Sequence, residues 1–397
     1  MEILFELSHK KIQSVDIGFT RGIMQKIAWN ARLIGIKGAR GVGKTTLVLQ
    51  YLKQNKNIHP HSLYVSLDHL WFSDHSLISL IDYFVKHGGT LLCIDEVHKY
   101  PNWSQEIKNI YDDYPELSVV FTGSSLLEIL NARADLSRRA VMYHLTGLSF
   151  REYLEFVTGE QFPIVTFNEI LENHVSLSQQ IIQRLKPLAH FKTYLAYGYY
   201  PFFNEMPALY HAKINEVINL ILEIELPLLR GIDVAYIRKL KQMLLVIGES
   251  VPFIANISKL SERIGINRQT FLSYLHYLEE IEVITLLHRN SVGITRFQKP
   301  DKIYLQNSNL AYSIAGTTPN IGNIRETFFL HQIKQNNTVT LPDVGDFLIN
   351  NTYLIEVGGT KKTNKQIANQ KQAYIAMDEI EQGFANKIPL WLFGFMY

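Results

Sequence analysis

Residues Gly38-Ala39-Arg40-Gly41-Val42-Gly43-Lys44-Thr45 spell the octapeptide G-x-x-x-x-G-K-[ST]. Such a string demands a strand before it and a helix after it. Both neighbours comply. Arg32-Leu33-Ile34-Gly35-Ile36-Lys37 is a short apolar run, and Thr46-Leu47-Val48-Leu49-Gln50-Tyr51-Leu52 has helical spacing. The glycines let the backbone wrap a phosphate, with N–H groups pointing inward as an anion nest. The helix behind adds its partial positive N-terminus. The main chain from Gly38 to Thr46 is therefore the expected phosphate cradle. Lys44 is expected to reach the β- and γ-phosphates of a nucleoside triphosphate, and the Thr45 hydroxyl to hold Mg²⁺. The plain alternative is a Gly-rich turn with an exposed lysine.

At 397 residues the chain has room for two or three domains. Apolar content of 47% against 19% charged residues marks a globular chain. A net charge of +2 neither requires nor excludes nucleic acid. The single cysteine, Cys93, excludes a disulfide framework and a Cys-rich zinc module, and its apolar neighbours Leu91, Leu92 and Ile94 place it in a buried strand. Met1 to Leu7 is too acidic and short for a signal peptide, and no uncharged apolar stretch reaches membrane-spanning length. The expectation is a soluble, cytoplasmic protein with no membrane partner.

Further apolar runs follow the octapeptide. Leu63-Tyr64-Val65-Ser66-Leu67 alternates like a strand. Thr90-Leu91-Leu92-Cys93-Ile94 ends in Asp95-Glu96, an acid-tipped buried strand of the Walker B kind. Asp95 is expected in the Mg²⁺ shell and Glu96 as the group that orients or deprotonates the attacking water. The alternative for both is a solvated helix start near Asn102-Trp103. Leu117 to Phe121 is a fourth strand, ending in Thr122-Gly123-Ser124-Ser125. Thr122 or Ser124 is the expected contact to the γ-phosphate or its water, against simple turn chemistry. Arg138 and Arg139 precede a fifth strand, Ala140 to Leu145. One of them is expected to act as an arginine finger, in cis or from a neighbouring subunit; the alternative is pairing with a local acid such as Asp135. Asp95-Glu96-Val97-His98 also spells the D-E-x-H of a helicase class. That class needs a second RecA-like domain with an arginine-rich motif. The sequence shows neither, so His98 reads as incidental.

Four strings in this order resemble one family. They are Ile94-Asp95-Glu96-Val97-His98-Lys99-Tyr100-Pro101-Asn102-Trp103, Phe121-Thr122-Gly123-Ser124-Ser125, Leu136-Ser137-Arg138-Arg139 and Leu148-Ser149-Phe150-Arg151-Glu152-Tyr153-Leu154. They are similar to the prokaryotic AAA-superfamily P-loop ATPases that carry a nuclease-like C-terminal domain of unknown function. The resemblance implies a five-stranded parallel core with the Walker B strand beside the phosphate loop. It also implies ATP and Mg²⁺ as cofactors. No N-K-x-D guanine-reading motif is present.

Downstream, residues 150–238 read as helical and aromatic. The tyrosines of Tyr194 to Tyr200 are core packing or a surface for stacked bases. Residues 236–289 have helix-turn-helix spacing: Ile257–Ile264, a turn at Gly265, an N-cap at Asn267, then Arg268–Glu280 with Phe271, Leu272, Leu275 and Leu278 inward. A strand from Val283 completes the expected winged helix. Arg268, Gln269, Ser273 and His276 form its candidate base-reading face, polar but thinly basic. Nucleic-acid contact and mere packing on the ATPase both stay open. In the last hundred residues Glu326, Asp346 and Glu356 resemble the acids of a restriction-endonuclease-like core. Position 358, where the lysine of E-x-K belongs, holds Gly358, followed by Gly359. The acids are expected to mark a vestigial nuclease site, with Lys361 or Lys362 the only nearby replacements and Lys361, Lys362 and Lys365 an alternative DNA-phosphate surface.

The expected fold class is α/β. A P-loop ATPase domain spans 1–150, a helical linker or lid 151–235, a winged helix 236–300 and a nuclease-like α/β domain 301–397. The expected function is a Mg²⁺-dependent AAA-like ATPase, a nucleic-acid-associated motor or switch, with homo-oligomers as a partner class. The alternatives are an ATP-gated nuclease and an ATP-switched protein-binding scaffold.

Overall fold

The computed structural model describes residues 1–123, 136, 138–250, 253–254, 256–289, 299–314, 319–362, 367 and 370–397. Ser124, Ser125, Asp135, Ser137 and Lys365 lie outside the described residues. The chain divides into two compact units, Met1–Gly147 and Leu148–Tyr397.

The first unit opens with helix α1 (Glu2–Ser14), whose end is capped by Lys53 Nζ donating to the carbonyls of Gln13 and Val15, both at 2.7 Å. Strand β1 (Leu33–Lys37) enters the glycine loop, and α2 (Lys44–Gln54) leaves it. Then come β2 (Ser62–Ser66), α3 (Leu77–Lys86, capped by Ser76), β3 (Leu91–Asp95), α4 (Trp103–Asp113), β4 (Ser118–Gly123) and β5 (Val141–His144). The five strands are all parallel, in the order β2-β3-β4-β1-β5. β3 is apolar from Leu91 to Ile94, before its terminal Asp95, because helices cover both faces of a parallel sheet. Leu92 and Cys93 are wholly buried, as the sequence suggested for the thiol.

In this order β4 lies between β1 and the acid-tipped β3. Strand register explains how Asp95 nevertheless reaches the loop. Paired residues of parallel neighbours project to the same face, and residues two apart on a strand share a face. Tyr64 pairs with Cys93, Ser66 with Asp95, Ile94 with Phe121 and Ile36 with Thr122. Tyr64, Asp95 and Thr122 therefore emerge on one side of the sheet.

The second unit begins with a capping box: the Ser149 hydroxyl accepts from the Glu152 N–H at 3.1 Å, and the Ser149 N–H donates to Glu152 Oε2 at 3.3 Å. This starts α5 (Phe150–Thr158), and Thr166 with Glu169 repeats the device for α6 (Phe167–Ile182). Next are α7 (Pro187–Tyr197) and α8 (Tyr210–Leu220). Tyr194, Tyr199 and Tyr200 are buried, and Tyr194 donates to the Leu148 carbonyl at 2.7 Å. Those three are core tyrosines, not a stacking surface.

Helix α9 (Ile237–Ser250), strand β6 (Phe253–Ile254), α10 (Ile257–Ile264), α11 (Arg268–Glu280), β7 (Ile284–Leu287) and β8 (Lys302–Leu305) follow. The strands form an antiparallel sheet in the order β6-β8-β7. Gly265 ends α10 with φ 72°, a left-handed turn that favours glycine, and the Asn267 side chain caps α11 by accepting from Thr270 N at 2.8 Å. Phe271, Leu275 and Leu278 are buried as expected, but Tyr274 joins them and Leu272 is only half-buried.

Beyond α12 (Ser308–Ile314), helix α13 (Ile321–Lys334) precedes strands β9 (Val339–Thr340), β10 (Phe347–Ile349), β11 (Tyr353–Gly358), β12 (Ala373–Met377) and β13 (Lys387–Pro389). This mixed sheet runs β13-β12-β11-β10-β9, with β11, β12 and β13 mutually parallel and β9, β10 and β11 antiparallel. The turn between β10 and β11 is closed by the Thr352 N–H donating to the Ile349 carbonyl at 3.0 Å, and its central residues Asn350 and Asn351 both have positive φ, 52° and 55°. Among the described residues, no helix is long and apolar enough to cross a membrane.

Candidate nucleotide site and a second polar cluster

The loop from Gly38 to Gly43 is built for close approach. A Cβ at position 38 would lie 2.0 Å from the Leu145 carbonyl oxygen, so only glycine fits between the loop and the end of β5. Gly43 sits at φ 96° and starts α2 without a side-chain cap. The first-turn N–H groups of α2 are therefore directed at the loop's mouth. Lys44 is buried, and its Nζ donates to the Gly38 and Ala39 carbonyls at 2.8 Å each. Its ammonium thus lies across the inside of the loop, where anionic oxygens would be gathered.

Arg21 braces the loop from behind. Its guanidinium donates to the Val42 carbonyl at 3.0 Å and to the Thr146 and Gly147 carbonyls at 2.9 Å each, and the side chain is buried. The sequence offered no sign of this, since two of the partners lie more than a hundred residues away.

Asp95 is the centre of the site. It is 3% exposed. Thr45 Oγ1 donates to Asp95 Oδ2 at 2.6 Å, and Tyr64 OH donates to the same oxygen at 2.7 Å. Thr122 Oγ1 donates to Oδ1, which also accepts from the Glu96 N–H at 3.2 Å. Burial first, then the Asp95 carboxylate, pushes the Tyr64 phenol well above its ordinary value, so it stays a donor. The geometry brings Thr45, Asp95 and Thr122 together. Tyr64 was missed, and the only signal was a tyrosine in an otherwise small-to-medium strand.

Thr45 and Asp95 form a hard-oxygen pair at the loop's mouth. That donor set fits Mg²⁺, which takes one or two protein oxygens and completes its octahedron with water and phosphate. Among the described residues, no group of three His, Cys, Asp or Glu side chains is arranged to hold a metal by itself.

Glu96 adopts φ 54°, an uncommon conformation for a non-glycine residue, and its side chain is largely but not wholly buried. Its Oε2 lies 3.4 Å from His98 Nε2. His98, two residues on, is thus the glutamate's near neighbour. Arg139 forms a two-pronged bond with Asp112 on α4, Nε and Nη2 each at 2.9 Å from a carboxylate oxygen. This holds the Asp112 carboxyl below its usual range. Arg139 therefore has a partner within the chain in Asp112; Asp135, the acid weighed from sequence, lies outside the described residues. Arg138, at φ 68°, is exposed.

A parallel sheet with a glycine loop after β1 and a buried acid ending β3 defines the P-loop nucleoside triphosphatase fold. Residues 30–154 match the family described as an AAA domain. Residues 188–320 match a family described as a domain of unknown function (DUF8612). No curated protein matches the chain. Among solved structures, the Walker-type ATPase PABY2304 of Pyrococcus abyssi is similar over 79% of this chain and 96% of its own, at 12% identity and a TM-score of 0.43. AMPPCP-bound DnaA from Aquifex aeolicus is similar over 70% of this chain and 88% of its own, at 14% identity and a TM-score of 0.29.

The second unit holds its own cluster. Glu326 on α13 accepts from Tyr304 OH at 2.8 Å and faces Lys302 Nζ at 3.7 Å. Asp346 Oδ2 accepts from the Val357 N–H at 2.9 Å. Lys362 Nζ lies 3.1 Å from Glu356 Oε2 and 3.5 Å from Asp346 Oδ2. Burial raises the carboxyls of Glu326 and Glu356 above their ordinary value; neighbouring Asp346 adds to this and Lys362 opposes it. Gly358 explains how Lys362 gets there. A Cβ at 358 would lie 2.9 Å from Lys362 Cβ, Cγ and Cδ, so the lysine stem fills the space of the side chain that position 358 lacks. Of the two nearby lysines weighed from sequence, Lys362 turns inward and Lys361 is exposed.

Proposed function

We propose that this chain is a Mg²⁺-dependent AAA-like ATPase that works as a nucleic-acid-associated motor or switch. The observation that carries the proposal is the 2.6 Å bond from Thr45 to Asp95 at the mouth of the glycine loop. The main chain of Gly38, Ala39, Arg40, Gly41, Val42, Gly43, Lys44, Thr45 and Thr46 would cradle the phosphates of ATP. Lys44 would pair with the β- and γ-oxygens. Thr45 and Asp95 would hold Mg²⁺, which when bound neutralises charge on those same oxygens. Glu96 would take the proton of the attacking water. Thr122, already fixed by its bond to Asp95, would sit beside the γ-phosphate end.

Arg138 remains the candidate finger, because Arg139 is engaged by Asp112. If Arg138 acts from a neighbouring subunit, turnover per subunit rises with protein concentration. Arg138→Ala abolishes that rise. Arg139→Ala leaves it and changes stability little, as expected of an exposed, solvent-screened ion pair. A flat rate across a wide concentration range, with a monomer in sedimentation, contradicts a finger in trans.

The domain limits 1–150, 151–235, 236–300 and 301–397 belong to this proposal, with α10, α11 and β6–β8 as a winged helix and β9–β13 as the nuclease-like sheet. Exposed Arg268 and Gln269 at the start of α11 would meet nucleic acid. ATP turnover measured with double-stranded DNA, single-stranded DNA or neither tests this. Stimulation by either DNA supports the motor or switch; indifference to both favours an ATP-switched scaffold for a protein partner.

The position of Lys362 bears on the ATP-gated nuclease alternative. Its ammonium stands between Glu356 and Asp346, where the two carboxylates would otherwise share a metal ion. This internal cation favours a closed, vestigial site. Plasmid and linear DNA are therefore expected to remain uncut in Mg²⁺ or Mn²⁺, with or without ATP. Cleavage that disappears in both Asp346→Ala and Lys362→Ala would promote the nuclease to first place.

A further inference from the structure

We infer that Tyr64 is a positioning residue for the metal-binding carboxylate and sets the affinity of the nucleotide site for Mg²⁺. The inference rests on the ATPase proposal and deepens it. Tyr64 lies in the middle of β2, with β3 and β4 between it and the strand that feeds the glycine loop. It pairs with Cys93, so its side chain leaves the sheet on the face that carries Asp95. Its own backbone N–H is fixed by Ser8 Oγ of α1 at 2.9 Å, and its ring is 3% exposed. From that anchored start the phenol reaches Asp95 Oδ2 at 2.7 Å.

Thr45 shares the same carboxylate oxygen at 2.6 Å. The two donors differ in role. The Thr45 oxygen has lone pairs to offer a cation while its hydrogen stays on Asp95. Tyr64 belongs to neither the loop nor its helix, and it approaches Asp95 from the side of β2. With Thr122 and the Glu96 N–H holding Oδ1, it fixes the Oδ2 side of the carboxylate. Without it, Oδ2 keeps only the bond to Thr45, the group whose own orientation the cation must share. Partners of this kind, one step removed from the metal, typically change metal affinity by about 10- to 100-fold when lost.

The competing account is a core tyrosine that found the nearest acceptor. The two differ in what Tyr64→Phe changes. A fluorescent ATP analogue is bound to wild type and to Tyr64→Phe, first in EDTA and then across a Mg²⁺ titration, below the melting temperature of each protein. The expected result is a Mg²⁺ midpoint raised roughly ten-fold in Tyr64→Phe, with unchanged nucleotide affinity in EDTA. Equal midpoints overturn the inference. So does an affinity that falls by the same factor with and without Mg²⁺, which is the mark of a packing defect. A wild type that binds no nucleotide in either condition contradicts the ATPase proposal itself, and the inference falls with it.

Discussion

Glu96→Gln is expected to lower ATP turnover by roughly 10²- to 10⁴-fold while leaving nucleotide binding intact. The amide keeps the shape and polarity of the side chain, so the left-handed backbone at Glu96 and the Glu96 N–H bond to Asp95 have no reason to change. It cannot accept the proton of the attacking water. Lys44→Ala is expected to behave differently. Lys44 Nζ ties the Gly38 and Ala39 carbonyls together, so its loss removes a phosphate contact and loosens the loop. Binding and turnover should then fall together. Phosphate release and nucleotide binding measured on both variants separate the two behaviours. Turnover at the wild-type rate in Glu96→Gln would show that the base lies elsewhere.

The largest stability effect is expected from Arg21→Ala, a residue that contacts no nucleotide in the proposed mechanism. One buried guanidinium serves three carbonyls, of Val42, Thr146 and Gly147. Bonds from a charged donor are each worth about 1.5–3 kcal/mol, and truncation also leaves buried carbonyls without their donor. A loss of about 3 kcal/mol or more is therefore expected. It would appear in whichever unfolding transition bound nucleotide shifts upward. Arg21→Lys should recover only part of it, because a point-like ammonium cannot span three separated acceptors as the planar fork does. A midpoint for Arg21→Ala within experimental error of wild type would show that the loop holds its shape unaided.

The parts of this architecture that were legible in the sequence are those written in short range. The glycine loop, its flanking strand and helix, the acid-tipped β3 and the helix-turn-helix caps at Gly265 and Asn267 each rest on a handful of neighbouring residues. Strand order is a different kind of information. Nothing local in β4 says that it inserts between β1 and β3. The same holds for side-chain partners brought together by the sheet. Tyr64 and Asp95 are 31 residues apart, and Arg21 and Gly147 are 126 apart. Arg139 was visible as a candidate finger, but Asp112 lies 27 residues back, on the helix before β4, so the pair was not. At the C-terminal acids, the missing lysine at Gly358 was legible. That Lys362 lies in the space left by it was not, because this depends on how the chain turns after β11.

The central claim is that Thr45 and Asp95 hold Mg²⁺ over a phosphate loop that binds and hydrolyses ATP. The most direct test is phosphate release from ATP by the purified full chain, in Mg²⁺ and in EDTA, beside Lys44→Ala prepared identically. The account predicts turnover in Mg²⁺ that vanishes with the chelator and is absent from Lys44→Ala. No turnover by wild type in any of these conditions, or equal turnover by Lys44→Ala, would contradict it.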